Sequence, residues 1–284
     1  MTEQEYRAHP ALHYSILKEL EHSFARFEYV RNLPPEAQKD TPALRFGKAY
    51  DTYLLQEDVF ANEFYVLDPK AAPEPEKTMA SKANKEWKAQ KESEYGTNII
   101  SVDEYFDLMR MKDALMNHPI AGYYLKTPGG MVQTPTFFQL YGLDFKMKTD
   151  LQFPDLGIII DLKTIISIDK FCISQAVNKY RYYWQQYLYR VGLEEFYGKP
   201  FDFYFIFQAK QPPHDVAVVQ LDREYTVQAS IDVQRLCEKY RWHLNNPSQF
   251  KGEHGGVLQI EMPKYLSNGV EVSNYDDDDD EEGF

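Results

Sequence analysis

Three residues near the middle of the chain are of types, and at spacings, that could do chemistry together: Asp150, Asp161 and Lys163. They lie in Asp150-Leu151-Gln152-Phe153-Pro154-Asp155-Leu156-Gly157-Ile158-Ile159-Ile160-Asp161-Leu162-Lys163, which reads as two short strands joined by a Pro/Asp/Gly turn. In the second strand the apolar residues 158, 160 and 162 should face a core, while Asp161 and Lys163 share the opposite face. Charges at the end of an apolar run are costly to bury without partners, and an isolated D-x-K at a strand end commonly just reaches solvent. Asp150 changes the balance, because the turn can bring its carboxylate beside that of Asp161. Two carboxylates and an ammonium at one point make a site for a hard divalent cation and an activated water.

The strand that delivers Asp150 is expected to place Phe145, Met147, Thr149 and Leu151 on one face. Lys146, Lys148 and Asp150 would then form a basic face leading to the first carboxylate, suited to an approaching phosphodiester. This strand, 143–151, pairs as a hairpin with 131–140 about Gly142. A long helix is expected over 169–191, with Gln185 and Tyr189 four residues apart on one face.

Upstream, Leu17, Leu20, Phe24 and Phe27 predict an amphipathic helix over 11–32. Thr41 with Pro42 caps a second helix over 41–57. An edge strand (63–67) precedes a polar helix, 76–92, carrying Lys77, Lys82, Lys85, Lys88, Lys91 and Trp87. That helix either tracks a nucleic-acid backbone or is an ordinary solvated helix, since three glutamates dilute its charge. A short strand (98–101) and helices to 126 follow, with Tyr105, Leu108, Met109, Met111 and Leu115 expected in a core. Downstream come strands at 201–209 and 215–221 and a closing helix at 223–245.

The chain of 284 residues, 43% hydrophobic and 15% aromatic, can bury the core of one large α/β domain or two small ones. Two cysteines, Cys172 and Cys237, argue for a reducing compartment and are too few for a four-cysteine iron–sulfur cluster. No apolar signal core opens the sequence and no stretch approaches membrane-spanning length, so a soluble cytoplasmic protein is expected. The net charge of −13 is unusual for a DNA-binding protein, and setting aside the seven acids of residues 276–282 still leaves −6. A P-loop, a G-x-G-x-x-G turn and an H-E-x-x-H helix are absent, which disfavours ATP-driven, nicotinamide-dependent and zinc-hydrolase chemistry.

The pattern D-(x)10-D-x-K from Asp150 to Lys163, followed by Q-x-x-x-Y at Gln185 to Tyr189, resembles the core of the PD-(D/E)xK nucleases. Within that superfamily it resembles the exonuclease VIII-like (RecE-type) branch of phage and prophage recombination exonucleases. Ser15 to Ser23 is similar to that branch's opening helix, and the likeness runs from about residue 11 to 222. The resemblance implies an α/β fold with a central mixed sheet flanked by helices: one nuclease domain, 1–270, and an acidic tail, 271–284. It implies metal-dependent 5′→3′ digestion of double-stranded DNA ends, with an endonuclease or a non-catalytic binding protein as alternatives. Asp150, Asp161 and the backbone carbonyl of Leu162 would hold Mg²⁺ or Mn²⁺ and Asp51 a second ion, with Lys163 positioning the attacking water and Gln185 and Tyr189 in support. Lys146, Lys148, Lys85 and Lys88 are the expected DNA contacts.

Two positions depart from the family pattern. Gly47-Lys48-Ala49-Tyr50-Asp51-Thr52-Tyr53-Leu54-Leu55 has Asp51 where G-x-A-x-H-x-x-L-L carries histidine, an exchange that hard cations tolerate. Gln133 stands where relatives often have glutamate; it is a poor metal ligand but could bind a water. The family also implies a homo-oligomeric ring working beside a single-strand annealing protein. The acidic tail ending Glu282-Gly283-Phe284 resembles the tip of single-stranded-DNA-binding proteins, which docks on partners; the other reading is a solubilising tail.

Overall fold

The computed structural model describes residues 1–34 and 41–262. The acidic tail and its terminal Phe284 therefore lie outside the described residues, as does Pro35.

In the N-terminal half the elements are α1 (Glu3–Ala8), α2 (Tyr14–His22), α3 (Phe24–Arg31), α4 (Pro42–Leu55), α5 (Glu57–Glu63), β1 (Tyr65–Leu67), α6 (Lys82–Tyr95), β2 (Ile99–Ser101), α7 (Val102–Asn117) and α8 (Ala121–Lys126). A hairpin of β3 (Met131–Leu140) and β4 (Leu143–Phe153) follows, then β5 (Ile158–Ile165), α9 (Lys170–Lys179), α10 (Tyr182–Tyr197), β6 (Asp202–Ala209), β7 (Val216–Val219) and α11 (Arg223–Asn245). Five strands form one mixed sheet in the order β3-β4-β5-β6-β7, in which only β5 and β6 run parallel. Two helices, α9 and α10, make the crossover that a parallel pair requires.

Both faces of the sheet are covered, so its central strands are apolar on both sides. Phe145, Met147, Ile159, Phe203, Phe205 and Phe207 pack with Leu17, Leu20 and Phe24 of α2 and α3, Trp184 and Leu188 of α10, and Val233 and Leu236 of α11. On the other face Leu151, Phe153, Ile160, Leu162 and Ile206 meet Phe46, Ala49 and Tyr50 of α4, and Leu108 and Met111 of α7. Ile158 joins them, so 158, 160 and 162 do share one core face. Gly192 lets α10 lie close on the hairpin: a Cβ there would come within 2.8 Å of Phe138 and 2.9 Å of Met147.

Two expected long helices are each broken. Ser23 is extended between α2 and α3, and its hydroxyl accepts from the Arg26 N–H at 3.0 Å as an N-cap. Arg181, in the left-handed region at φ 56°, separates α9 from α10 and grips Glu21 of α2 through Nε and Nη2 at 3.2 and 2.9 Å. The predicted edge strand is β1, but it pairs in parallel with β2 in a separate two-stranded sheet. The hairpin turn is Tyr141-Gly142, both with positive φ (51° and 71°), as a two-residue turn matching strand twist demands.

Candidate active site

The expected single-face pattern of β4 does not hold along its whole length. Phe145 and Met147 belong to one core, yet Leu151 and Phe153 belong to the other, although all four numbers are odd. The alternation slips at Asp150, opposite Gln133, which has φ 47° and is the one position skipped in the otherwise constant β3–β4 register. The buried Thr149 hydroxyl donates to Gln152 Oε1 at 2.9 Å, which two residues three apart in a regular strand could not do. Such a local irregularity re-aims a side chain, and here the side chain is Asp150.

Pairing between β4 and β5 ends at the same place. Its last partners are Leu151 and Ile160, so Asp150 and Asp161 face each other where the two strands part. The other end of β4 is flanked by a different segment: Leu12 bridges to Phe145, with Leu12 N–H donating to the Asp144 carbonyl at 2.9 Å. The fork between β4 and β5 is the candidate site.

Each carboxylate at the fork is held. Asp150 accepts from the Leu162 N–H at 2.9 Å and from Gln133 Nε2 at 3.1 Å. Asp161, only 1% exposed, accepts from Gln185 Nε2 on α10 and pairs with Lys163. A carboxylate oxygen has two lone pairs, so each keeps acceptor capacity beyond these bonds. Because N–H and C=O of one strand residue point to the same edge, the Leu162 carbonyl turns towards the fork with its N–H. Lys163 also sits over the Tyr182 ring, 5.0 Å from its centroid.

Asp51 reaches the fork from the opposite helical layer. It is carried by α4, whose neighbouring Tyr50 is 1% exposed and donates its hydroxyl to Gln208 Oε1 at 2.7 Å, tying the helix to β6. Gln208 in turn donates to the Met111 and His214 carbonyls at 2.8 and 3.1 Å. This buried, satisfied network fixes the depth at which α4 presents Asp51.

The electrostatics record a crowd of like charges. Burial, then Asp150, drives the Asp51 carboxyl well above the usual range, against the pull of Lys163. Burial also pushes Asp161 up to about 7, with Lys163 opposing and Asp150 adding to the rise. Burial alone would lower the Lys163 ammonium, but Asp161 and Asp150 outweigh it and raise its pKa. The Tyr189 phenol lies in the same field and is raised well above normal by burial and by Asp161.

Among the described residues no three His, Cys, Asp or Glu side chains already form a metal cage. The donor set nonetheless suits a hard divalent cation. Asp150 and Asp161 face each other across the fork and Asp51 lies within their field, with Asp51 and Asp161 driven towards protonation, a charge surplus that a cation relieves.

Residues 14–254 match the model of a family described as "PDDEXK-like domain of unknown function (DUF3799)". The chain belongs to this PDDEXK-like family. Among solved structures it is similar to that of a "Putative exonuclease" from Eubacterium rectale, with a TM-score of 0.60 at 16% identity, covering 95% of this chain and 99% of that one. Among curated proteins no sequence relative matches.

In this PDDEXK-like chain the motif positions Asp150, Asp161 and Lys163 come together, with Asp51, Gln185 and Tyr189 around them. Of the basic face expected along β4, Lys148 does bring its charge within reach of Asp51, but Lys146 does not face the fork. Lys146 is 5% exposed and donates to the carbonyls of Tyr6, Arg7 and His9 at 2.7, 3.1 and 2.7 Å, so its ammonium closes the end of α1 rather than awaiting a phosphate. Truncating it to Met strands three carbonyls; Lys146→Met should cost about 1–3 kcal/mol in urea unfolding, with the metal response of the folded fraction unchanged. Lys148 is half-buried and pairs with Glu3 of α1 at 2.7 Å. Lys85 and Lys88 are exposed on α6, which packs against the small β1–β2 sheet, and among the described residues they take no part in the fork's hydrogen bonds.

Sequence reasoning missed α1 and what it brings. Its signal was present as the capping box Thr2-x-x-Glu5, in which Glu5 N–H donates to Thr2 Oγ1 at 3.2 Å and Thr2 N–H to Glu5 Oε2 at 2.7 Å. Tyr6 of this helix adds to the field at Tyr189. Tyr14 and Lys18, one turn apart on α2, flank the other side, where both feel the charge of Lys163.

Proposed function

We propose that this chain is a metal-dependent deoxyribonuclease of the exonuclease VIII-like type, digesting duplex DNA ends 5′→3′. The observation that carries the reading is the meeting of Asp150 and Asp161 where β4 and β5 part, with Lys163 paired to Asp161. Family membership and the exonuclease description of the structural relative support the same reaction class.

Asp51, Asp150, Asp161 and the Leu162 carbonyl would hold Mg²⁺ or Mn²⁺, two ions in the fullest arrangement. Bound there, a divalent cation polarises a phosphodiester and makes water a better nucleophile. The other parts belong to the chain itself. Lys163 stays protonated and stabilises negative charge that develops on phosphate oxygens. Gln185 fixes the Asp161 rotamer, and its own Oε1 is buried without a partner among the described residues, leaving an acceptor for a water proton. Tyr189, its phenol held neutral, is a donor at any working pH.

A non-catalytic relative is the second reading, favoured by one observation: Gln133 offers Asp150 an amide donor where a carboxylate would add a ligand. Linear and closed-circular duplex DNA incubated with Mg²⁺ or Mn²⁺ separate the possibilities. Nucleotide release from the linear form alone, abolished by EDTA, is the expected result. Cutting of the circle would assign an endonuclease, and no release from either form would support the non-catalytic reading. Ring assembly, a single-strand annealing partner and docking through the tail ending in Phe284 remain part of the proposal on the resemblance alone; among the described residues no helix is long and apolar enough to cross a membrane.

A further inference from the structure

We propose that Gly47 marks where the substrate strand lies against α4, its bare Cα leaving the passage by which the sugar–phosphate backbone reaches Asp51. The inference rests on the nuclease reading above and adds to it a contact position outside the charged cluster.

Gly47 sits in the interior of a fourteen-residue helix, where glycine costs about 1 kcal/mol relative to alanine. The fold does not require that cost. Its φ is not positive, and a Cβ added there would meet no atom of the described residues within 4 Å. The contrast with Gly192, whose Cβ would strike Phe138 and Met147, and with Gly157 at φ 66°, whose Cβ would lie 2.8 Å from the Pro200 carbonyl oxygen, is direct. Packing and turn geometry explain those two glycines and leave this one unexplained.

Its place on the helix supplies the reason. Gly47 and Asp51 are four residues apart and therefore neighbours on one face. Helical side chains lean towards the N-terminus, so the Asp51 carboxylate projects over the turn that contains Gly47. The next residue does not fill the gap, because Lys48 Nζ is drawn aside to Asn98 Oδ1 at 2.7 Å. The face of α4 from Gly47 to Asp51 thus presents bare backbone beside a carboxylate, with room for a Cβ that the sequence leaves out, and a close-lying polymer backbone can use that room.

Gly47→Ala and Gly47→Leu test the inference beside Thr52→Ala, which also raises helix propensity but replaces a side chain bonded to its own helix at the Lys48 carbonyl. Three measurements are made on the full chain: thermal midpoint in EDTA, affinity for a duplex oligonucleotide in Ca²⁺, and kcat/KM for nucleotide release in Mg²⁺. Gly47→Ala should melt at or above the wild-type temperature yet bind and cleave about tenfold less well, Gly47→Leu should lose roughly a further tenfold, and Thr52→Ala should lose neither. Glycine variants that bind and cleave within about twofold of wild type overturn the inference, as does a lowered midpoint for Gly47→Ala, since the glycine would then serve the fold. A wild-type chain that cleaves while the variants match it sinks this inference alone; one that neither binds nor cleaves sinks the nuclease reading and this with it.

Discussion

Asp161→Asn is expected to lower metal-dependent nucleotide release at least about a thousandfold, some 4 kcal/mol of transition-state stabilisation. The size follows from how many roles converge on one side chain. Asp161 faces Asp150 across the fork, pairs with Lys163 and is gripped by Gln185. The amide is nearly isosteric, but it removes a charge that a cation needs and frees Lys163 from the partner that holds its ammonium in place. Lys163→Met should lose a similar amount with metal affinity retained, because the ammonium is no ligand. Metal titration followed by thermal midpoint separates the two: the midpoint of Asp161→Asn should hardly respond to Mn²⁺, and that of Lys163→Met should rise as the wild type does. Full activity in Asp161→Asn would remove the fork from the mechanism.

Asp51→Asn is expected to have opposite effects on stability and activity. In EDTA at pH 7.5 it should raise the thermal midpoint by several degrees, corresponding to about 1–3 kcal/mol. The sign follows from proton linkage. The folded-state pKa values of Asp51 and Asp161 lie above the ordinary carboxylate value, so the folded protein binds protons that the unfolded chain releases. Stability of the metal-free protein therefore falls as pH rises from about 4 through the raised values, and for Asp161 that window ends at about 7. Removing one carboxylate lessens the penalty, so the gain from Asp51→Asn should be largest at pH 7–8 and shrink towards pH 5. Thermal unfolding of both proteins in EDTA from pH 5 to 8 checks this. Saturating Mg²⁺ should reverse the order, stabilising the wild type more than the variant. Such a trade of stability for function is expected where like charges are gathered on purpose. A wild type whose metal-free midpoint rises steadily from pH 5 to 8 would contradict the electrostatic account.

The chemistry-bearing residues were legible because their signals are local. Alternation in β5 put Asp161 and Lys163 together opposite Ile158, Ile160 and Leu162, and a Pro/Asp/Gly turn fixed which strand came back beside it. Helical spacing linked Gln185 to Tyr189, while Thr41 and Pro42 marked the start of the helix that carries Asp51. The acidic tail was equally plain as composition, but the described residues end before it.

What local pattern could not settle was where regularity stops. Gln133 adopts φ 47° with no glycine to announce it, and the resulting slip reverses the faces of β4 between Met147 and Leu151. The same slip aims Asp150 into the fork, while Lys146, on the same strand, is held in the protein by three carbonyls of the N-terminal segment. Ser23 and Arg181 break helices whose apolar spacing runs on without interruption. Residue type and period decide which groups can meet; whether a charged side chain faces solvent, substrate or a distant carbonyl depends on contacts between segments more than a hundred residues apart. Among those, Lys146 with Tyr6 and Tyr50 with Gln208 are separated by 140 and 158 positions, beyond the reach of any local spacing.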